Sequence, residues 1–213
     1  MKRFTQKGGG ASRRHREKMA HRAEILAAAE RVFKKKGLEA AKMEDIAREA
    51  EFSVGALYTF FRNKHELCSA VLGMIANEFI RNFELNVVSV DDGLDALREL
   101  VRLRLSHMRA HRDFFRMMLA AKPESSISPD MVLLKDLRVM YDDYVGKVSK
   151  LFQKAMKQGR IKRMDPLYAA LALEGVLNAF SAHWGAYEKP EALEKLTGIV
   201  WDNYLSHIAA KTV

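Results

Sequence analysis

The 213-residue chain has a single cysteine, Cys68, so no disulfide can form within it. That fits a reducing compartment, and the plain reading of Cys68 is a small buried apolar residue rather than a redox sensor. No stretch approaches the roughly 18 apolar residues of a membrane span. The basic N-terminus is followed by an apolar segment, residues 25–29, that is too short for a secretory signal. A soluble, cytoplasmic chain with no membrane association is expected. Strand signals are also scarce. ELNVVSV (84–90) is the best candidate, and it reads equally well as a helix end with a connector. What is present is a globular balance of 48% apolar and 30% charged residues, enough to bury a core without staples and sized for one large domain or two small ones.

The net charge of +9 is unevenly distributed. Residues 1–66 hold 16 Lys/Arg against 9 Asp/Glu, and residues 67–213 hold 20 against 18. A phosphate-binding N-terminal part predicts this asymmetry, because neutralising phosphates releases counterions. A solvated basic face without a partner would have the same composition. The first 19 residues, with Gly8-Gly9-Gly10 and the basic run Arg13, Arg14, Arg16 and Lys18, read as a flexible basic arm.

Helical periodicity accounts for nearly everything after the arm, and it predicts an all-α fold of about nine helices with no internal repeat. The first helix spans about 20–36, with Ile25, Leu26, Ala29, Val32 and Phe33 on one face, and stops at Gly37. Two short helices follow, and a fourth runs over about 63–85. A fifth opens from a cap at Asp91 or Ser89 and reaches about 111. A short helix then carries Phe114, Phe115, Met118 and Leu119. After the loop at 122–130 comes a long helix over about 130–158, ended by Gly159. Asp165-Pro166 opens the eighth, to about 187, with a cap and a first-turn proline. The ninth covers about 191–209.

The two short helices, about 43–50 and 53–61, are separated by about three residues and flanked by basic groups. That spacing lets one helix brace a second, which can lie in the DNA major groove. Ile46 and Ala47 face inward, and the small Ala47 allows a close crossing. Ser53 is a good N-cap for the second helix. Leu57 and Phe60 are expected to point back to the core, leaving Gly55, Ala56, Tyr58 and Thr59 outside. Gly55 and Ala56 let the backbone approach base edges or a thymine methyl. Tyr58 and Thr59 offer hydroxyls to phosphates, and Lys64 adds charge at a helix N-terminus. The candidate DNA contacts are Lys42, Met43, Ser53, Val54, Gly55, Ala56, Tyr58, Thr59, Phe60 and Lys64. Phe60 stands in both the contact set and the core set.

Residues 22–67 closely resemble the DNA-binding domain of the tetracycline-repressor (TetR) family of bacterial regulators. The matching residues include Arg22, Ile25-Leu26, Ala28-Ala29, Val32-Phe33, Gly37, Met43, Asp45-Ile46-Ala47, Ala50, Ser53-Val54-Gly55, Leu57-Tyr58, Phe61, Lys64 and Glu66-Leu67. The resemblance covers about 46 residues by motif, and the rest only by helix count and order. It departs from the family at three places. Glu51 stands where a turn glycine is usual, Lys42 where Thr or Ser is common, and Ala56 where Thr is common. The loss at Ala56 leaves fewer side chains for readout.

The resemblance implies three parts: the arm (1–19), a three-helix helix-turn-helix domain (20–66), and a helical domain for ligand binding and dimerisation (67–213). The residues offer hints of their own. Leu171, Gly175, Ala179 and Ala182 on the eighth helix, with Leu196, Val200 and Tyr204 on the ninth, would form a four-helix interface with a second copy. The alternative is that both faces pack within one chain. Candidates to line an effector pocket are Phe79, Phe83, Leu103, His107, Phe114, Met118, Tyr141, Tyr144, Asn178 and Trp184, although most such residues belong to any core.

His107 and His111 stand four apart, a ligand-like spacing, but no second paired motif completes a metal site, so no metal is expected and two surface or ligand-proximal histidines are read instead. Ser53, His65 and Asp45 form a triad only on paper. The function expected is therefore a ligand-responsive DNA-binding regulator, a homodimeric repressor on a duplex operator released by a small hydrophobic or amphipathic effector, with no cofactor and no enzymatic activity. The alternatives are an all-α enzyme or metal-binding protein carrying a similar hairpin, or a DNA-binding dimer without an effector.

Overall fold

The computed structural model describes residues 13–120, 131–186 and 193–210, excepting the side chains of 118–120, 131–136, 181–182, 184–186 and 193–194. Among the described residues the fold is all-α, and the one β-type pairing is an isolated bridge. The elements are α1 (Arg13–Ala40), α2 (Met43–Glu49), α3 (Val54–Phe60), α4 (Lys64–Asn86), α5 (Gly93–Ala110), α6 (Arg112–Ala120), α7 (Met131–Lys157), α8 (Pro166–Ala186) and α9 (Leu193–Val200). A π-helical turn, Trp201–Leu205, and a last helical turn, Ser206–Ile208, continue α9. No helix among the described residues is long and apolar enough to cross a membrane. The chain divides into two compact units at Val71/Leu72.

In the first unit α1 begins seven residues earlier than its apolar face predicts, because residues 13–19 are good helix formers and Arg13 pairs with Glu17 one turn on at 2.7 Å. Residues 1–12 of the expected arm lie outside the described residues. Gly37 (φ 76°) breaks the helix where the sequence puts its end. Ile25, Leu26, Ala28, Ala29, Val32 and Phe33 are buried with Ile46, Ala47, Leu57 and Phe61. Cys68 is buried too, and burial pushes its thiol up to about 11, which leaves it inert.

The α2–α3 turn is a Schellman-type ending. The Phe52 N–H donates to Ala47 O at 2.9 Å and the Glu51 N–H to Arg48 O at 3.2 Å. Glu51 is left-handed (φ 59°), the one non-glycine residue with positive φ among the described residues.

In the second unit the apolar face of α5 is the centre. Leu94, Leu97, Leu100, Val101 and Leu105 share one core with α7 (Val145, Val148, Phe152), α8 (Ala170, Leu173, Leu177) and α9 (Leu196, Val200). Asp92, rather than Asp91 or Ser89, caps α5: its Oδ1 accepts from the Leu94 and Asp95 amides at 2.9 and 3.0 Å. Gly93 has no room for a side chain, since a Cβ would fall 2.4 Å from the Ala155 nitrogen of α7. The segment 84–90 is the end of α4 with a turn, not a strand. The bridge Ile161–Ala209 ties the chain after α9 to the α7–α8 connection, with the Lys162 N–H on Ile208 O at 2.8 Å.

Glu51→Gly is expected to stabilise the protein by about 0.5–1 kcal/mol, because the steric cost of a left-handed side chain exceeds the extra freedom glycine gives the unfolded chain. A thermal melt reads it as a rise of a few degrees. An unchanged or lower midpoint would show that the turn holds Glu51 without strain.

Candidate functional site

The first unit presents α3 as its outward helix. Ser53 caps it as the sequence predicts, with Oγ accepting from the Ala56 amide at 3.1 Å. Leu57 is fully buried and anchors the helix to the core. Ser53, Gly55, Tyr58 and Thr59 are exposed, Tyr58 by 49%, while Val54 and Ala56 are half-buried. Space around Gly55 is open. The Thr59 hydroxyl donates to Ala56 O at 2.7 Å, so it is already engaged within its own helix. Phe60 is half-buried, edge-on to Phe52 with ring centroids 6.5 Å apart.

Arg14, His15, Glu17, Lys18 and His21 of α1 line a surface groove together with Thr59 and Phe60. Part of the basic run that reads as an arm is therefore helix, beside the C-terminal end of α3.

Two residues of the contact set sit elsewhere than expected. Met43 is 6% exposed, and its side chain belongs to the core. The Lys64 ammonium donates to Leu38 O and Glu39 O, both at 2.9 Å, and so caps the carbonyl end of α1. Lys42 is exposed, and its amide donates to Asp45 Oδ2 at 3.3 Å. Asp45 also pairs with Lys36 at 2.7 Å, and that contact holds its carboxyl below the usual range. Asp45 and Ser53 thus both have structural tasks.

The second unit contains a cavity of about 260 Å³ between α4, α5, α6, α7 and α8, lined by Leu72, Ile75, Ala76, Phe79, Ile80, Arg104, His107, Phe115, Leu137, Met140, Tyr141, Tyr144 and Glu174. Phe79, His107, Tyr141 and Tyr144 of the sequence-derived set are in its wall. Phe83 and Phe114 are fully buried core residues outside it. Leu103 packs against the core from its rim. Asn178 is exposed, and its Oδ1 accepts from Arg104 Nη2 at 2.9 Å. Met118 and Trp184 fall outside the described side chains.

Charges from α5 and α8 that sequence reading passed over stand in this apolar wall. Glu174 is 1% exposed, and its Oε1 accepts from the Tyr144 hydroxyl at 2.5 Å. Its Oε2 faces Arg104 Nε at 3.8 Å, too far for a hydrogen bond. Burial first, then the Glu174 charge, pushes the Tyr144 phenol well above its ordinary value. Burial also raises the phenol of Tyr141. The one available hint was Glu174, the single charged residue of the stretch 167–182.

His107 and His111 are each only 7% exposed, so neither is a surface histidine. Glu78 of α4 joins them, as described further below.

Of the pairing residues, Leu171 is 41% exposed, and Gly175 and Ala179 are exposed on the same face of α8, which also carries Leu167 (47%) and Tyr168 (70%). Leu196 and Val200 are instead buried in the core with α5, and the Tyr204 hydroxyl donates to Ala169 O at 2.8 Å. The apolar row of α9 is therefore used within the chain. Ala182 lies outside the described side chains.

Residues 25–71 match the profile described as bacterial regulatory proteins, tetR family. This segment is a DNA-binding domain of that family. The chain is 29% identical over 162 residues to the uncharacterized HTH-type transcriptional regulator YfiR of Bacillus subtilis, covering 73% of this chain and 74% of that one. It is 26% identical over 191 residues to the nicotine-responsive transcriptional repressor HdnoR of Paenarthrobacter nicotinovorans, covering 88% and 95%. A TetR/AcrR-family regulator from Thermobifida fusca shares the fold with a TM-score of 0.71 at 20% identity, over 87% and 98% of the two chains. The chain is a DNA-binding transcriptional regulator with a tetR-type helix-turn-helix domain.

Lys64→Met keeps the aliphatic stem and removes the cap on α1. It is expected to lower stability by about 1–2 kcal/mol and to leave the salt dependence of DNA binding unchanged. Melting curves and salt-titrated gel shifts read the two effects. A salt slope reduced in the mutant would place the ammonium on a phosphate instead.

Proposed function

We propose that this chain is a homodimeric repressor that grips a near-palindromic operator through its two α3 helices and lets go when a small molecule enters the cavity of the second unit. The observation that carries the reading is the capped, exposed α3 on a domain of matching family. Lys42, Ser53, Val54, Gly55, Ala56, Tyr58 and Thr59 form its contact surface, with Arg14 and Lys18 beside it, and operator binding makes it a cytoplasmic protein. The unevenly distributed positive charge supports this. Residues up to about 66 serve DNA, and those from 67 onward serve effector and partner. Two copies pair through the exposed row Leu167, Leu171, Gly175 and Ala179, whose small members permit close helix approach. Twofold pairing suits half-sites about one DNA turn apart.

The effector proposed is a compact, largely apolar molecule carrying a hydroxyl or similar group. The cavity wall is mostly Leu, Ile, Phe and Met, while Arg104 Nε and Glu174 Oε2 stand 3.8 Å apart. Both atoms are covered, and a small rotation of either side chain would offer a hydroxyl the first as donor and the second as acceptor. HdnoR, a similar chain, is described as nicotine-responsive, which supports a small organic effector. The cavity is walled in part by Leu72, Ile75, Ala76 and Phe79 of α4, a helix that begins at Lys64, close after α3 in the chain. An effector preferring one arrangement of α4 would shift the protein away from the DNA-binding state by its differential affinity.

Lys42→Ala should lower the magnitude of the slope of log K against log salt by about 1.8 per dimer, at 0.9 per phosphate contact; an unchanged slope would remove Lys42 from the DNA surface. For the cavity, 1-naphthol is expected to raise the melting temperature of the free protein and to release a bound operator more strongly than naphthalene does. Equal responses to the two probes would argue against a polar anchor at Arg104 and Glu174.

A further inference from the structure

We propose that Glu78, His107 and His111 form a binding site for a divalent first-row transition metal, of which Zn2+ is the type, in the wall of the second unit. His107 and His111 lie one helical turn apart on α5, and Glu78 comes from α4, some thirty residues earlier in the chain. One ligand atom from each of the three lies within 4.8 Å of the other two. His111 Nε2 stands 3.6 Å from Glu78 Oε2, close to the separation of about 3.3 Å for two donors held 2.0–2.1 Å from a tetrahedral ion. The two imidazole rings are 4.7 Å apart at their centroids and tilted by 54°.

Both histidines are buried, while the Glu78 side chain is 43% exposed and leaves an approach from solvent. Two imidazole nitrogens with one carboxylate suit Zn2+, Co2+ or Ni2+, whereas Mg2+ and Ca2+ call for oxygen donors. Three protein donors also leave a fourth position open. His107 is part of the cavity wall, so a metal held here borders the cavity. The donor set clamps α4 to α5. This inference does not depend on the effector reading, since metal binding is measured on the free protein.

The test uses the untagged full chain, stripped with EDTA, and titrates ZnCl2 calorimetrically with the metal content counted after dialysis. The expected result is about one Zn2+ per chain and a raised melting temperature, with Co2+ giving the visible bands of a four-coordinate N/O site. Glu78→Gln keeps the fold and should weaken Zn2+ by more than about tenfold. His111→Ala should abolish the melting shift. Should the histidine variant fail to fold, Glu78→Gln and the Co2+ spectrum decide. An unchanged Zn2+ affinity in Glu78→Gln, an octahedral all-oxygen Co2+ spectrum, or an equal response to Mg2+ would overturn the site. Failure of Zn2+ binding in a protein that still binds operator and 1-naphthol would sink this proposal alone.

Discussion

A four-residue turn decides whether this chain can present a helix to DNA at all. Two helices of seven residues each are too short to be stable alone, and α2 and α3 hold only because the turn crosses them closely over Leu57 and Ile46. Ala50, Glu51 and Phe52 return their amides to Ile46, Arg48 and Ala47, so the end of α2 is closed by its own chain. Phe52 then packs edge-on to Phe60 and His21, linking the turn to both α3 and α1. The left-handed Glu51 is the cost of this geometry. A glycine would meet the same backbone demand without a side chain, so the turn is kept by its hydrogen bonds and by Phe52, not by local preference.

That order of dependence explains what was legible in the sequence. Ser53, Gly37, Asp165 and the turn at Glu51 were readable because each acts within a few residues of itself. Asp165, for instance, accepts from the Leu167 and Tyr168 amides at 2.9 and 3.1 Å. Even there one position was misread: Asp92 caps α5 where Asp91 and Ser89 were the candidates, since three acceptors in four residues have nearly equal propensity.

Long-range partners were not legible. Lys64 looks like a phosphate ligand because its position at a helix start is local information, whereas the α1 carbonyls it reaches lie twenty-five residues back. Leu196 and Val200 show an apolar row at helical spacing, and that row is the same whether it faces α5 or a second copy. Period alone reports that a face is buried, never against what. Glu78 is the sharpest case, because nothing in its neighbourhood points to a histidine pair on another helix.

The polar groups of the second unit raise a separate question, since folding alone gives little reason to keep them. Burying Glu174 and most of Arg104 in an apolar wall takes the pair largely out of water, and ions 3.8 Å apart recover less than a hydrogen-bonded pair. Apolar residues of similar volume, with phenylalanine at Tyr144, would pack as well and leave nothing unsatisfied. The Tyr144 hydroxyl satisfies only one carboxylate oxygen, and Asn178 only one edge of the guanidinium. Each ion thus has one partner fixed, while Arg104 Nε and Glu174 Oε2 face each other without a hydrogen bond of their own. A pair that only stabilised the bundle would close that gap, so its cost to folding is the physical argument for a task at the cavity wall.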